Sequence, residues 1–178
     1  MLKYTDYDIV FQEIPDEVTL AINLSNCPHR CPGCHSPQLQ QNIGKELNEE
    51  VLSDLLRRYE SSITCVCFMG GDAAPDKLCR LAEFVKENWS GKIKTAWYSG
   101  CNTINNGALL HPFNFVKLGA YVEAFGGLDK ETTNQRLYKI ENGFMNNITA
   151  QMQNSTNNNL YISATDALQP TILIAQKI

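Results

Sequence analysis

The stretch Val18-Thr19-Leu20-Ala21-Ile22-Asn23-Leu24, followed by Ser25-Asn26 and then Cys27-Pro28-His29-Arg30-Cys31-Pro32-Gly33-Cys34, limits the chemistry of this chain more than any other. Val18, Leu20, Ile22 and Leu24 alternate with Thr19, Ala21 and Asn23, the period of a strand. That strand runs directly into three cysteines spaced CxxxCxxC. Pro28 and Pro32 each remove an amide donor and push the residue before them out of the helical region, so the cysteines lie on a loop. Gly33 allows a sharp turn just before the last of them. A loop can fold three sulfurs onto three corners of a cube, whereas on a helix they would make a one-sided stripe. An iron–sulfur cluster is the reading this favours, with Cys27, Cys31 and Cys34 as metal ligands. A four-iron cluster normally takes four thiolates, so three leave one iron open to a non-protein ligand. Two blander readings stand beside it. His35 or His29 completes a tetrahedral zinc set, although no second zinc knuckle is present, or the thiols are unmodified.

Working outward, Leu47, Val51 and Leu55 recur at i, i+4 and i+8 with Leu52, Leu56 and Tyr59 alongside, which predicts a helix capped by Asn48. The apolar run Ile63-Thr64-Cys65-Val66-Cys67-Phe68-Met69 predicts a strand covered on both faces, ending in Gly70-Gly71-Asp72. Pro75 to Trp89 predicts a second helix, with Leu78, Leu81, Ala82, Val85 and Trp89 on one face. Ile93 to Tyr98 predicts a strand ending in Ser99-Gly100. A turn-rich segment from 101 to 112 follows, in which His111 reads as a loop residue. Phe113 to Gly119 predicts a fourth strand, with a loop from Ala120 to Asp129 after it. Ahead of all this, Asp8 to Phe11 forms a short segment ended by a turn at Ile14-Pro15-Asp16-Glu17.

CxxxCxxC resembles the signature of radical S-adenosylmethionine enzymes, and the string CPHRCPGCHS resembles the activating proteins of anaerobic ribonucleoside-triphosphate reductase. Gly70-Gly71-Asp72, after the second strand of such a chain, resembles the family's Gly-Gly-Glu motif. Lys117-Leu118-Gly119-Ala120-Tyr121 with Thr133-Asn134-Gln135-Arg136 resembles the end of its core. The resemblance covers roughly Asp8 to Gly143. It implies a [4Fe-4S] cluster on Cys27, Cys31 and Cys34 whose open iron is chelated by S-adenosylmethionine. Gly33, Cys34 and His35 would line the adenosyl side, and Gly70, Gly71 and Asp72 the methionyl end, with Tyr98 and Ser99 nearby. Asp72 reads either as added charge or, preferentially, as the cap of the next helix. The implied activity is formation of a 5′-deoxyadenosyl radical that installs a glycyl radical on a partner, the anaerobic ribonucleoside-triphosphate reductase. An external electron donor such as flavodoxin or ferredoxin is implied as well. No side chain need act as acid or base, so no catalytic residue is assigned. Relatives carry an aspartate near position 117, where this chain has Lys117, and no role is carried over from it. A small radical enzyme acting on a free metabolite and a zinc or electron-transfer module are the alternative functions.

The bulk properties agree. At 178 residues, 43% hydrophobic and 19% charged, the chain has the size and composition of one globular domain. A net charge of −4 without a basic run argues against nucleic acid. No apolar stretch reaches the length of a membrane span, and the N-terminus lacks the apolar core of a signal peptide, so a cytoplasmic protein is expected. Seven cysteines are then not a disulfide framework. Cys65, Cys67 and Cys79 read as packed thiols, while Cys101, in a Gly-Cys-Asn loop, fits neither group. Strands alternating with helices predict an α/β fold, a partial open (β/α) barrel of the radical S-adenosylmethionine type with a mainly parallel sheet. Residues 1–143 form that single core. Residues 144–178 form an irregular polar tail, in which Asn146 to Asn159 reads as a mobile connection and Leu160–Ile162 and Thr171–Ala175 as two short strands.

Overall fold

The computed structural model describes residues 1–157, and the two strands expected at 160–162 and 171–175 lie outside them. The chain runs through β1 (Lys3–Val10), β2 (Thr19–Leu24), β3 (Lys45–Glu46), α1 (Glu49–Tyr59), β4 (Cys65–Met69), α2 (Pro75–Asn88), β5 (Lys94–Tyr98), β6 (Phe115–Leu118), β7 (Arg136–Glu141), β8 (Phe144–Asn147) and α3 (Thr149–Asn157). The strands make one open sheet in the order β3-β1-β2-β4-β5-β6-β7-β8. The α/β class and the unclosed sheet agree with the expectation. The parallel character holds only at the centre: β2, β4, β5 and β6 pair in parallel, while β1 and β3 on one side and β7 and β8 on the other pair antiparallel.

Local signals explain the central elements. Asn48 caps α1 by accepting the Val51 amide at 3.0 Å, and Pro75 opens α2, where a missing N–H costs nothing. Both helices bury their apolar stripe on one face of the sheet, Leu52, Leu55 and Leu56 from α1 and Leu78, Leu81, Ala82 and Val85 from α2, against Leu20, Ile22, Val66, Phe68, Trp97 and Val116. The opposite face holds Cys65, Cys67, Ala96, Phe115 and Leu137, covered by Ile14 and Leu128 with Ile148 and Met152 packed on them. Burying a Leu-sized side chain contributes about 1.5–3 kcal/mol, so the helix-covered face dominates the stability of the sheet.

The outer elements differ from expectation. β1 is eight residues long rather than a short segment at 8–11, and its half-exposed residues lack clean alternation. β7 and β8 form a hairpin around Asn142-Gly143, both at positive φ. Asn146 to Asn159, expected to be a mobile connection, contains part of β8 and all of α3. Its contacts include the Ile148 amide donating to the Leu137 carbonyl at 2.8 Å, the Leu137 amide donating to the Thr149 hydroxyl at 3.0 Å, and Ile148 and Met152 seated on the second core. No helix among the described residues is long and apolar enough to cross a membrane.

Candidate functional site

Because the four central strands are parallel, their C-terminal ends share one rim, where ligand sites of open α/β sheets are found. The register places Asn23, Met69, Tyr98 and Lys117 side by side in the last row across β2, β4, β5 and β6. Over this row lies a cavity of about 190 Å³, lined by Cys27, Cys31 and Cys34 from the loop after β2, Gly70 and Asp72 after β4, Gly100 after β5, and Gln135 before β7. Met69, Tyr98 and Lys117 form its floor.

The cysteine loop is held at both ends. The amides of Asn26 and Cys27 donate to the carbonyls of Gln41 and Leu39, each at 2.9 Å. Cys34 donates its amide to the Cys31 carbonyl at 3.2 Å, closing a turn in which Gly33 takes φ +71°. All three sulfurs are half-buried. Burial pushes the Cys27 thiol up, and the negative charges of Asp72, Cys31 and Cys34 push it further. A bare thiol at position 27 resists ionisation, and a metal centre beside it would reverse that balance. Three half-buried cysteines lining one cavity are a donor set that fits an iron–sulfur cluster.

Not every residue singled out in the sequence reaches the cavity. Gly33 is exposed and packs against Glu123, whose Oε2 lies 2.7 Å from where a Cβ would stand. The His35 ring is also exposed and rests on Tyr121, centroids 4.4 Å apart, and Tyr121 in turn lines the cavity. Gly71 is buried between Leu24 and Leu78, with no room for a Cβ. Ser99 is buried beneath the rim, and its hydroxyl donates to Asp72 Oδ1 at 2.5 Å. The role of Asp72 as a helix cap is corrected: Ala74 is the N-cap of α2 and no side chain caps it. The Asp72 carboxylate turns the other way, accepting the Gly100 amide at 3.0 Å and lying 3.4 Å from His29 Nε2.

The structure gives Lys117 and Tyr98 an arrangement that the sequence did not. Lys117 is 8% exposed. Its Nζ donates to the Gly119 carbonyl at 3.1 Å and lies 5.5 Å from the Tyr98 ring centroid. Burial pushes its ammonium below the usual lysine range, while the charges of Asp72, Cys67, Cys31 and Glu13 oppose the shift. Tyr98 donates its hydroxyl to the Glu13 carbonyl, and burial raises both the Tyr98 phenol and the Glu13 carboxyl. The only hint in the sequence was the unusual cation at the inward end of an apolar strand.

Comparison with known proteins agrees with this geometry. The family model described as 4Fe-4S single cluster domain matches residues 18–122, a span that opens one residue before β2 and closes just past Tyr121. It contains every cavity residue named above except Gln135. No curated protein and no solved structure matches the chain.

Proposed function

Since the chain belongs to the family of 4Fe-4S single cluster domains, we propose that it is a radical S-adenosylmethionine activase that installs a glycyl radical on a partner protein. The observation that carries this reading is that Cys27, Cys31 and Cys34 line one cavity with Gly70 and Asp72, and no other cysteine among the described residues lines it. The thiolates of Cys27, Cys31 and Cys34 would hold the cluster and leave one iron open to the cofactor. When bound, the cluster would supply the electron that breaks the bond between the sulfonium and the 5′ carbon, releasing methionine and a 5′-deoxyadenosyl radical that takes a hydrogen atom from a glycine of the partner.

The chain's own residues bind and orient. Lys117 donates one N–H to Gly119 and retains two for an anionic group, which suits the methionyl carboxylate. Gly70, at φ +104°, presents its backbone at the cavity wall, where a Cβ would approach the Leu24 carbonyl. Its carbonyl accepts from the Trp97 indole and keeps a second lone pair for an ammonium. The apolar part of Tyr98 covers the floor, and the sheet behind it excludes water.

A protein partner is favoured by the exposure of Pro28, Arg30, Pro32, Gly33 and His35, which puts the outer side of the cysteine loop on the surface. The anaerobic ribonucleoside-triphosphate reductase is the proposed partner, a flavodoxin or ferredoxin the proposed donor, and the cytoplasm the proposed compartment.

The test is anaerobic reconstitution with iron and sulfide, reduction in the presence of S-adenosylmethionine, and assay of 5′-deoxyadenosine, for wild type and Cys31→Ala. Cleavage by wild type alone, followed by a glycyl-radical electron paramagnetic resonance signal on adding the reductase, is the expected result. A reconstituted cluster that never cleaves the cofactor leaves an electron-transfer module in its place.

A further inference from the structure

Cys65, Cys67 and Cys79 are buried, whereas Cys101 is half-buried in the loop after β5. Its Sγ lies 3.6 Å from His29 Nε2 and 3.8 Å from Asp72 Oδ1, and Nε2 lies 3.4 Å from Asp72 Oδ2. The three donors come from three loops on the rim: the cysteine loop after β2, the turn after β4 and the turn after β5. Their ligand atoms lie within 4.8 Å of one another, and no other group of three His, Cys, Asp or Glu residues among the described residues does this.

Both contacts of the Cys101 sulfur lie within hydrogen-bonding reach of a thiol, whereas the imidazole–carboxylate contact is longer than a hydrogen-bonded pair. An imidazole–carboxylate pair with a side chain 3% exposed on the acidic side would close to about 2.7–2.9 Å, well inside the observed 3.4 Å. This donor cluster is close to the size of a metal site. With zinc–nitrogen bonds of about 2.0–2.1 Å, zinc–oxygen about 2.0–2.2 Å and zinc–sulfur about 2.3 Å, the edges of a tetrahedron are about 3.3–3.7 Å long. The His29–Cys101 separation falls in that range; the two Asp72 separations are made by different oxygens of one carboxylate, and with a single oxygen the three donors lie within 4.8 Å of one another.

The surroundings orient these donors. The Ser99 hydroxyl and the Gly100 amide both donate to the Asp72 carboxylate, at 2.5 and 3.0 Å, and the Cys101 amide donates to the Ser99 oxygen at 3.0 Å. Carboxylate ligands of metal sites are held by such outer hydrogen bonds. At Gly100 a Cβ would stand 2.5 Å from the His29 ring, so only glycine lets the imidazole close on the other two donors.

The geometry points to a second metal site, distinct from the Cys27-Cys31-Cys34 set, in which His29, Asp72 and Cys101 hold one tetrahedral divalent transition ion. Thiolate with imidazole and carboxylate at this spacing selects zinc. Three protein ligands leave the fourth position to water or to a molecule in the cavity, which His29 and Asp72 both line. Because His29 lies between Cys27 and Cys31, the ion ties the cluster loop to the ends of β4 and β5. This site goes beyond the activase reading and stands or falls apart from it.

The test uses protein reconstituted anaerobically with iron and sulfide, given equimolar zinc, desalted, and assayed for both metals in the same sample. Wild type is expected to hold about four irons, as one cluster requires, and about one zinc. Zinc-edge X-ray absorption, blind to iron, is expected to show a single sulfur neighbour at about 2.3 Å. Cys101→Ala is expected to keep its iron, lose that sulfur neighbour and bind zinc at least about tenfold more weakly. Cys101→Ser, close in size, serves the same purpose should the alanine variant fail to fold. A wild type that retains no zinc, zinc surrounded by three sulfurs, or a Cys101 variant that loses iron instead of zinc overturns the proposal. Cofactor cleavage plays no part in these outcomes, so failure of the activase reading is separately visible.

Discussion

Trp97 donates its indole N–H to the carbonyl oxygen of Gly70 at 2.9 Å. A side chain in the middle of β5 thereby holds the turn that ends β4, and the Gly70 amide adds a bond to the Tyr98 carbonyl at 2.9 Å. The glycine turn at the cavity wall is thus positioned by its neighbouring strand rather than by its own residues. Trp97 is 1% exposed, so Trp97→Phe removes a buried donor and leaves unfilled volume beside Phe113. A loss of about 2 kcal/mol or more is expected. It would appear as a lower urea midpoint with an unchanged slope; an unchanged midpoint would show that the bond does not fix the turn.

Six of the seven cysteines separate by exposure. Cys65 and Cys67 are fully buried, and burial pushes both thiols far up, whereas Cys27, Cys31, Cys34 and Cys101 are half-buried at the rim. Only the thiolate alkylates. In metal-free folded protein, iodoacetamide followed by peptide mass spectrometry should label the rim cysteines and leave Cys65 and Cys67 unmodified until denaturant is added. Early labelling of Cys67 would contradict the second core.

Lys117 gives a pH dependence whose sign follows from burial. Its folded pKa lies below its unfolded value, so folding binds the proton less well than the unfolded chain does. The cost is fully present below the folded pKa and disappears as pH rises through it to the unfolded value near 10.5. In metal-free protein, Lys117→Met should therefore be the more stable form at pH 7, by about 1–4 kcal/mol, with a margin over wild type that shrinks towards pH 10. On the proposed activase reading, the same variant should raise the S-adenosylmethionine concentration needed for half-maximal cleavage. A margin independent of pH would place the ammonium in solvent.

Gly33→Ala combines two penalties. An alanine at φ +71° costs about 1–2 kcal/mol, and its Cβ would stand 2.7 Å from Glu123 Oε2. The turn between Cys31 and Cys34 should open, with iron retention after desalting falling well below that of wild type. The double variant Gly33→Ala with Glu123→Ala removes the clash but not the backbone strain, and should recover only part of the loss. Full recovery would assign the whole effect to the clash.

The centre of the fold was legible because its signals are local. Asn48 before α1, Pro75 at the start of α2, and the apolar run from Ile63 to Met69 each act within a few residues. The antiparallel flanks were not legible. β1 and β8 are edge-side strands with half-exposed or exposed residues, and their partners across the sheet, rather than an apolar period, make them strands. α3 was hidden for a similar reason: only Ile148 and Met152 in a polar tract report its packing, and both contacts are long-range.

For the cavity, the sequence alone placed the three cysteines and the glycine turn after β4 at strand ends, since loop spacing and strand period are properties of contiguous residues. Tertiary structure alone decided which neighbours face them. It withdrew Asp72 from the helix cap and gave its carboxylate to Ser99, Gly100 and His29. It brought Cys101 to His29 across 72 positions of chain, and it set Lys117 beside Tyr98 through the register of β5 and β6. Each depends on strand order and register, which arise from the packing of a whole sheet and leave no mark on the residues that later meet.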